Sequence, residues 1–193
     1  MRSVITLLLV STLAIGGCDR QSRSPEQANA AENAASAAPG NETAPEALGT
    51  VDRSQKGKPA PDYAFQAPDG KQVTLAAFRG RPVLLNLWAT WCAPCIKEMP
   101  TLDALAGTLG GSVKVLTVSE DLEGATKVKP FFAKGGFQHL EAYLDPDINF
   151  SSRANLNLPT TILYDSQGKE VWRVAGGMDW ASDEARKLVA EAS

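Results

Sequence analysis

Seven residues in the middle of the chain, Pro82-Val-Leu-Leu-Asn-Leu-Trp88, carry a single polar side chain among them. A short apolar run of this kind reads as a strand buried on both faces, and such a strand needs a layer of helix or loop packed above and below it. The residues that follow supply one. From Ala93 to Leu109, apolar Ile96, Met99, Leu102, Leu105, Ala106 and Leu109 recur at helical spacing, with Pro100 in their middle expected to kink the helix. Further along, Val113–Val118 reads as a second buried strand, and Ala125–Lys134 as a helix stopped by Gly135-Gly136. Glu141–Leu144 reads as a short strand and Asp147–Ala154 as a helical turn or two. Thr160–Tyr164 and Glu170–Val174, joined by Asp165-Ser-Gln-Gly168, read as a hairpin, before a last helix over Ser182–Ala190. Ahead of the central run, Tyr63–Phe65 and Lys71–Leu75 flank Pro68-Asp-Gly70 and predict a smaller hairpin. Strands alternating with helices and ending in a hairpin and a helix define an α/β domain with a mixed sheet flanked by helices, expected over residues 56–193.

The front of the chain differs in composition. Arg2 precedes an apolar run of 12 residues, Val4–Ile15, which fits a signal h-region and is too short for a spanning helix. Export is therefore expected. The segment Leu13-Ala-Ile-Gly-Gly-Cys18 resembles a bacterial lipobox, which implies a signal peptide over residues 1–18 and lipidation of Cys18. Several acyl chains on one residue anchor stably where a single chain binds marginally. Cleavage near Ala28–Ala30 is the alternative, and it would discard Cys18. Asp19 after the cysteine resembles a signal for retention at the inner membrane. Residues 19–55 are Ala-, Ser-, Asn-, Pro- and Glu-rich, with no aromatic side chain. They read as a flexible tether with a span of roughly 35 Å.

Charge narrows the function. The formal net charge is −3, and from Lys56 onward 15 basic side chains face 16 acidic ones, so no field is available to attract nucleic acid. With three cysteines, at most one internal disulfide can form, and the expected fate of Cys18 accounts for the odd one.

Cys92 and Cys95 carry the chemistry. A strand ending at Trp88 and a helix starting near Ala93 place Cys92 at a helix N-terminus, where unpaired amides and the helix dipole stabilise a thiolate. Cys95, three residues on, faces the same side within reach of a disulfide, and Pro94 suits a first turn that has no use for its missing N–H. Cys92 is the expected nucleophile and Cys95 the resolving thiol of an exchange reaction that runs through a mixed disulfide. Other uses of the pair have less support. A structural zinc site would need more ligands than the lone His139 can add, and a structural disulfide closing so small a loop would stabilise little. A thiol peroxidase of the peroxiredoxin pattern would carry a hydroxyl where Ala89 stands. Delivery of Cu(I) through two soft thiolates stays open.

The block Asn86-Leu-Trp-Ala-Thr-Trp-Cys-Ala-Pro-Cys-Ile-Lys-Glu-Met-Pro100, with Leu158-Pro-Thr-Thr-Ile-Leu-Tyr-Asp-Ser-Gln-Gly168 some 60 residues later, resembles the TlpA/ResA family of membrane-tethered thioredoxin-like proteins. The resemblance covers about Lys56 to the C-terminus. It implies a thioredoxin-like fold with an N-terminal β-hairpin and an inserted strand and helix, a redox-active Cys92–Cys95 pair with no other cofactor, and a cis-proline at Pro159. Leu158 and Pro159 are then expected to line the substrate groove, where the backbone of Leu158 can meet an incoming peptide. Trp91, Ala93 and Pro94 complete the expected substrate-binding set, with Trp88 in the core and Trp91 on an apolar rim.

Thioredoxins proper carry a buried aspartate where this chain has Asn86. The family resemblance, and the position three residues after Cys95, point to Glu98 as the carboxyl that handles the proton. The resemblance also implies a direction and partners: reduction of disulfides in exported cysteine proteins such as apocytochrome c, electrons from a membrane thiol donor, and a lipid anchor on the periplasmic side of the inner membrane. The same CxxC pair runs equally well as an oxidase or isomerase.

Overall fold

The computed structural model of the protein describes residues 49–192. The expected leader, Cys18 and residues 19–48 of the expected tether lie outside them.

The chain forms β1 (Thr50–Asp52), β2 (Phe65–Gln66), β3 (Gln72–Val73), a 3-10 turn (Leu75–Phe78), β4 (Val83–Trp88), α1 (Ala93–Leu109), β5 (Lys114–Ser119) and α2 (Ala125–Gly135). It continues with β6 (Ala142–Leu144), α3 (Asn149–Ala154), β7 (Thr160–Tyr164), β8 (Glu170–Ala175), α4 (Asp183–Val189) and a closing 3-10 turn (Ala190–Ala192). The strands make one eight-stranded mixed sheet in the order β1-β8-β7-β4-β5-β6-β2-β3. β4, β5 and β6 are parallel, and the other pairings are antiparallel. This is the expected thioredoxin-like arrangement, with α2 and β6 inserted ahead of α3.

β4 sits fourth of eight and is buried along its whole length, as its apolar run requires. Alternate side chains enter different layers. Leu84 and Trp88 pack with Met99, Leu102 and Leu105 of α1, with Trp172 of β8 and with Leu188 of α4. Val83, Leu85 and Leu87 pack on the other side with Phe65, Leu116, Phe150 and Ile162. Asn86 belongs by alternation with Leu84 and Trp88, so its amide is aimed at α1.

Local signals set the ends of α1. Cys92 is the N-cap residue, Pro94 lies in the first turn, and Gly110 closes the helix at φ 54°, a left-handed conformation that suits glycine. The helix runs unbroken through Pro100. α2 ends at Gly136 in the same way, with φ 65°.

Two expectations need correction. The early hairpin forms as predicted, with Phe65 opposite Val73, but its strands are two residues each and Leu75 opens the 3-10 turn. The domain also begins before residue 56. Thr50–Asp52 adds an antiparallel edge strand to β8, with Val51 opposite Val174 and packed against the core, while Arg53 pairs with Glu191 at 2.6 Å. Pairing along β8 satisfies the backbone of a segment whose composition reads as coil.

Candidate active site

The turn between β4 and α1 carries the sulfurs. Cys92 and Cys95 form a disulfide with their Cα atoms 5.3 Å apart. Cys92 is 6% exposed and Cys95 fully buried, so of the two only Cys92 reaches solvent. Ala93 and Pro94 stand exposed beside them. As the N-cap, Cys92 lies at the first-turn amides of α1, which favour its thiolate once the disulfide opens.

Glu98, one turn beyond Cys95, is 3% exposed. Its Oε1 accepts from Asn86 Nδ2 at 2.8 Å; its Oε2 accepts from the backbone N–H of Met178 at 3.0 Å and from Trp180 Nε1 at 3.1 Å. Burial pushes its carboxyl above the usual carboxylate range, and the donors from Asn86, Met178 and Trp180 only partly offset this. Asn86 also donates to Thr161 Oγ1 at 2.9 Å, its cross-strand partner on β7, while its Oδ1 is buried without a partner among the described residues. An amide in this place thus holds the Glu98 carboxyl from below.

The Leu158–Pro159 peptide is cis, as expected. Leu158 is half-buried and Pro159 buried, and both line a groove of about 720 Å³ along one face of α1. Pro94, Lys97, Glu98 and Thr101 form its helical wall, and Gly176 to Asp179 its far side. The groove therefore joins an exposed part of the redox turn to the buried carboxyl.

Trp88 is fully buried, with the Phe131 ring 4.9 Å away, and Trp91 stands 69% exposed on the rim, as expected of each. His139 is a surface residue lying over Gly107, where an added Cβ would come within 2.7 Å of its ring; it does not join the cysteines.

Sequence reading missed several residues that shape the site. Trp180 and Met178 reach Glu98 from the loop after β8, some 80 residues along the chain. A tryptophan inside Gly176-Gly-Met-Asp-Trp180 was the available signal, since a large aromatic in a loop needs something to cover it. Asp121, just past β5, accepts from the N–H of Thr90 at 2.9 Å and from its hydroxyl at 2.6 Å, pinning the turn that holds Trp91 and Cys92. Only an acid following a buried strand hinted at that contact.

Comparison with known proteins agrees with this geometry. Residues 55–189 match the family model described as Redoxin. The thiol–disulfide oxidoreductase ResA of Bacillus anthracis is 32% identical over 126 residues, covering 65% of this chain and 72% of the relative. ResA of Bacillus subtilis is 31% identical over 126 residues, covering 64% and 69%. Among solved structures, the pneumococcal exposed lipoprotein thioredoxin from Streptococcus pneumoniae is 26% identical with a TM-score of 0.56, covering 66% of this chain and 98% of that one. A candidate DsbE thiol:disulfide interchange protein from Chlorobium tepidum shares the fold at 24% identity with a TM-score of 0.63, covering 71% and 96%. With a CxxC disulfide at the N-terminus of α1 and relatives of this kind over most of the domain, the chain belongs to the Redoxin family as a ResA-like thiol–disulfide oxidoreductase.

Proposed function

We propose that the protein works in the reducing direction, opening disulfides in exported cysteine-containing proteins, apocytochrome c among them. Electrons would come from a membrane thiol donor, and a lipid on Cys18 would hold the domain on the periplasmic side of the inner membrane. The observation that carries this reading is the buried Glu98 carboxyl at the wall of the groove, one helical turn from the buried Cys95. The lipobox-like segment and the pneumococcal relative, an exposed lipoprotein by name, support the anchor. Among the described residues no helix is long and apolar enough to cross a membrane.

In the reaction, the Cys92 thiolate attacks one sulfur of the substrate disulfide. A mixed disulfide forms and the other substrate sulfur leaves as a thiolate. Cys95 then loses its proton to Glu98 and attacks Cys92. This closes the Cys92–Cys95 disulfide and releases the second substrate sulfur, with solvent and Glu98 returning the protons. Two electrons pass to the substrate, and a dithiol donor restores the pair. Trp91, Ala93 and Pro94 on one side and Leu158 and Pro159 on the other would hold the substrate chain across the reacting bond.

The reduction potential of the Cys92–Cys95 pair tests the direction. A value near the roughly −270 mV of thioredoxin supports a reductase; one near the roughly −120 mV of a strong oxidant means that the protein makes disulfides. Insulin reduction that survived in both Cys92→Ser and Cys95→Ser would overturn the role of the pair.

A further inference from the structure

Among the described residues three large hydrophobic side chains are exposed: Trp91, Ile96 at 37% and Leu122 at 70%. Single exposed apolar residues are ordinary, but each of these three lies on a segment that borders the redox turn. Trp91 precedes Cys92, and Ile96 lies one helical turn after it on the same side of α1. Leu122 arrives through the sheet. β4 and β5 are parallel neighbours with Trp88 opposite Ser119, and beyond that pair Asp121 holds Thr90 by both its N–H and its hydroxyl. Ser119 Oγ donates to the same carboxylate at 2.8 Å. The next residue on each chain segment is Trp91 on one and Leu122 on the other, so the clamp brings together, past the C-terminal edge of the sheet, the two backbone segments that carry these exposed side chains.

This patch is distinct from the groove described above. Helical spacing puts Pro94, Lys97, Glu98 and Thr101 on one face of α1 and Ile96 on the opposite one.

We propose that Trp91 and Leu122, held together by the Asp121–Thr90 clamp, form a subsite for one bulky apolar side chain of the substrate. The preferred substrates are then extended polypeptide segments in which an apolar residue lies next to the target cysteine. This rests on the redox reading of Cys92. It makes Leu122 a specificity-determining residue and Asp121 and Thr90 positioning residues.

The test compares two disulfide-linked peptides that differ only in leucine or serine beside the cysteine, with the ratio of their kcat/KM values as the readout. The full chain is expected to favour the leucine peptide by about tenfold, the low end of what an apolar pocket discriminates. Leu122→Ser, an exposed change that leaves the core intact, should reduce the preference to about twofold or less. Thr90→Val should lower it as well, and Thr90→Ser, which keeps the hydroxyl, should restore it. An unchanged preference in Leu122→Ser, or no preference in the unaltered chain, overturns the subsite while leaving the exchange reaction standing. If the unaltered chain exchanges with neither peptide, both the subsite and the redox reading fall.

Discussion

Asn86 on β4 donates a hydrogen bond to Glu98 on α1 across 2.8 Å, in a buried layer one helical turn from the redox disulfide. The contact ties the middle of the sheet to the helix that carries both cysteines. Burial sets how the site responds to pH by holding the Glu98 carboxyl above its ordinary value of 4.5, and the Asn86 contact partly offsets that rise.

The linkage has a definite sign. Between the unfolded and the folded pKa of Glu98 the native chain holds a proton that the unfolded chain has lost, so stability falls as pH rises through that window. Glu98→Gln removes the slope. The variant is expected to gain in melting temperature relative to the unaltered protein as pH rises from about 4.5 towards neutrality. The same substitution should slow the step in which Cys95 resolves a mixed disulfide by roughly a hundredfold or more and flatten its pH profile. Thermal melts and stopped-flow exchange at matched pH values check both, and an unchanged pH profile would sink the proton-handling role.

Asn86→Asp would put a second carboxyl against the first. Like charges in a sealed layer cannot both ionise at low cost, so one proton should be retained well into the neutral range. The expected result is a loss of about 2 to 4 kcal/mol near pH 8 and a smaller loss near pH 5, read from denaturant unfolding at the two pH values.

The two sulfurs differ in access, and their variants should differ in kind. Cys95→Ser leaves the approachable Cys92, which should accumulate a stable mixed disulfide with a substrate peptide. Cys92→Ser leaves only the covered Cys95 and should trap little. Mass spectrometry of the intact protein after mixing with a disulfide peptide distinguishes them. Equal trapping by both variants would contradict the assignment of nucleophile and resolving thiol.

Strand β1 gives a prediction about stability rather than chemistry. A chain shortened to begin at Lys56 loses the Val51 packing, the ladder to β8 and the Arg53–Glu191 pair. Against one beginning at Gly49 it should be less stable by about 2 kcal/mol, nearly all of it from burial and the ladder, because an exposed ion pair contributes little. Equal denaturant midpoints would show that β1 adds nothing.

Legibility in the sequence followed the range of the interactions. The bounds of α1 could be read directly because apolar spacing, Pro94 and Gly110 are all local signals, and β4 because its burial on both faces leaves an unbroken apolar run. The Cys92–Cys95 pair was likewise legible from spacing along one helix, and Glu98 from that spacing together with the family resemblance. β1 was not. Thr50-Val-Asp52 has one apolar side chain, and its partner strand lies at the far end of the chain. The donors that hold Glu98 and the acid that pins Thr90 come from loops distant in sequence, so no window on the helix or the turn contains them.

Of the four tryptophans, Trp88, Trp172 and Trp180 are sealed in the interior, and Trp91 stands in water next to the disulfide. Indoles in these two surroundings emit at different wavelengths, and a disulfide takes an electron from an excited indole beside it. Opening the Cys92–Cys95 bond should therefore brighten the long-wavelength edge of the emission, where Trp91 contributes, and also the emission of Trp88, which shares a core cluster with both cysteines. The protein thus carries a built-in optical gauge of its own oxidation state, one that can be followed during turnover without labelling either sulfur.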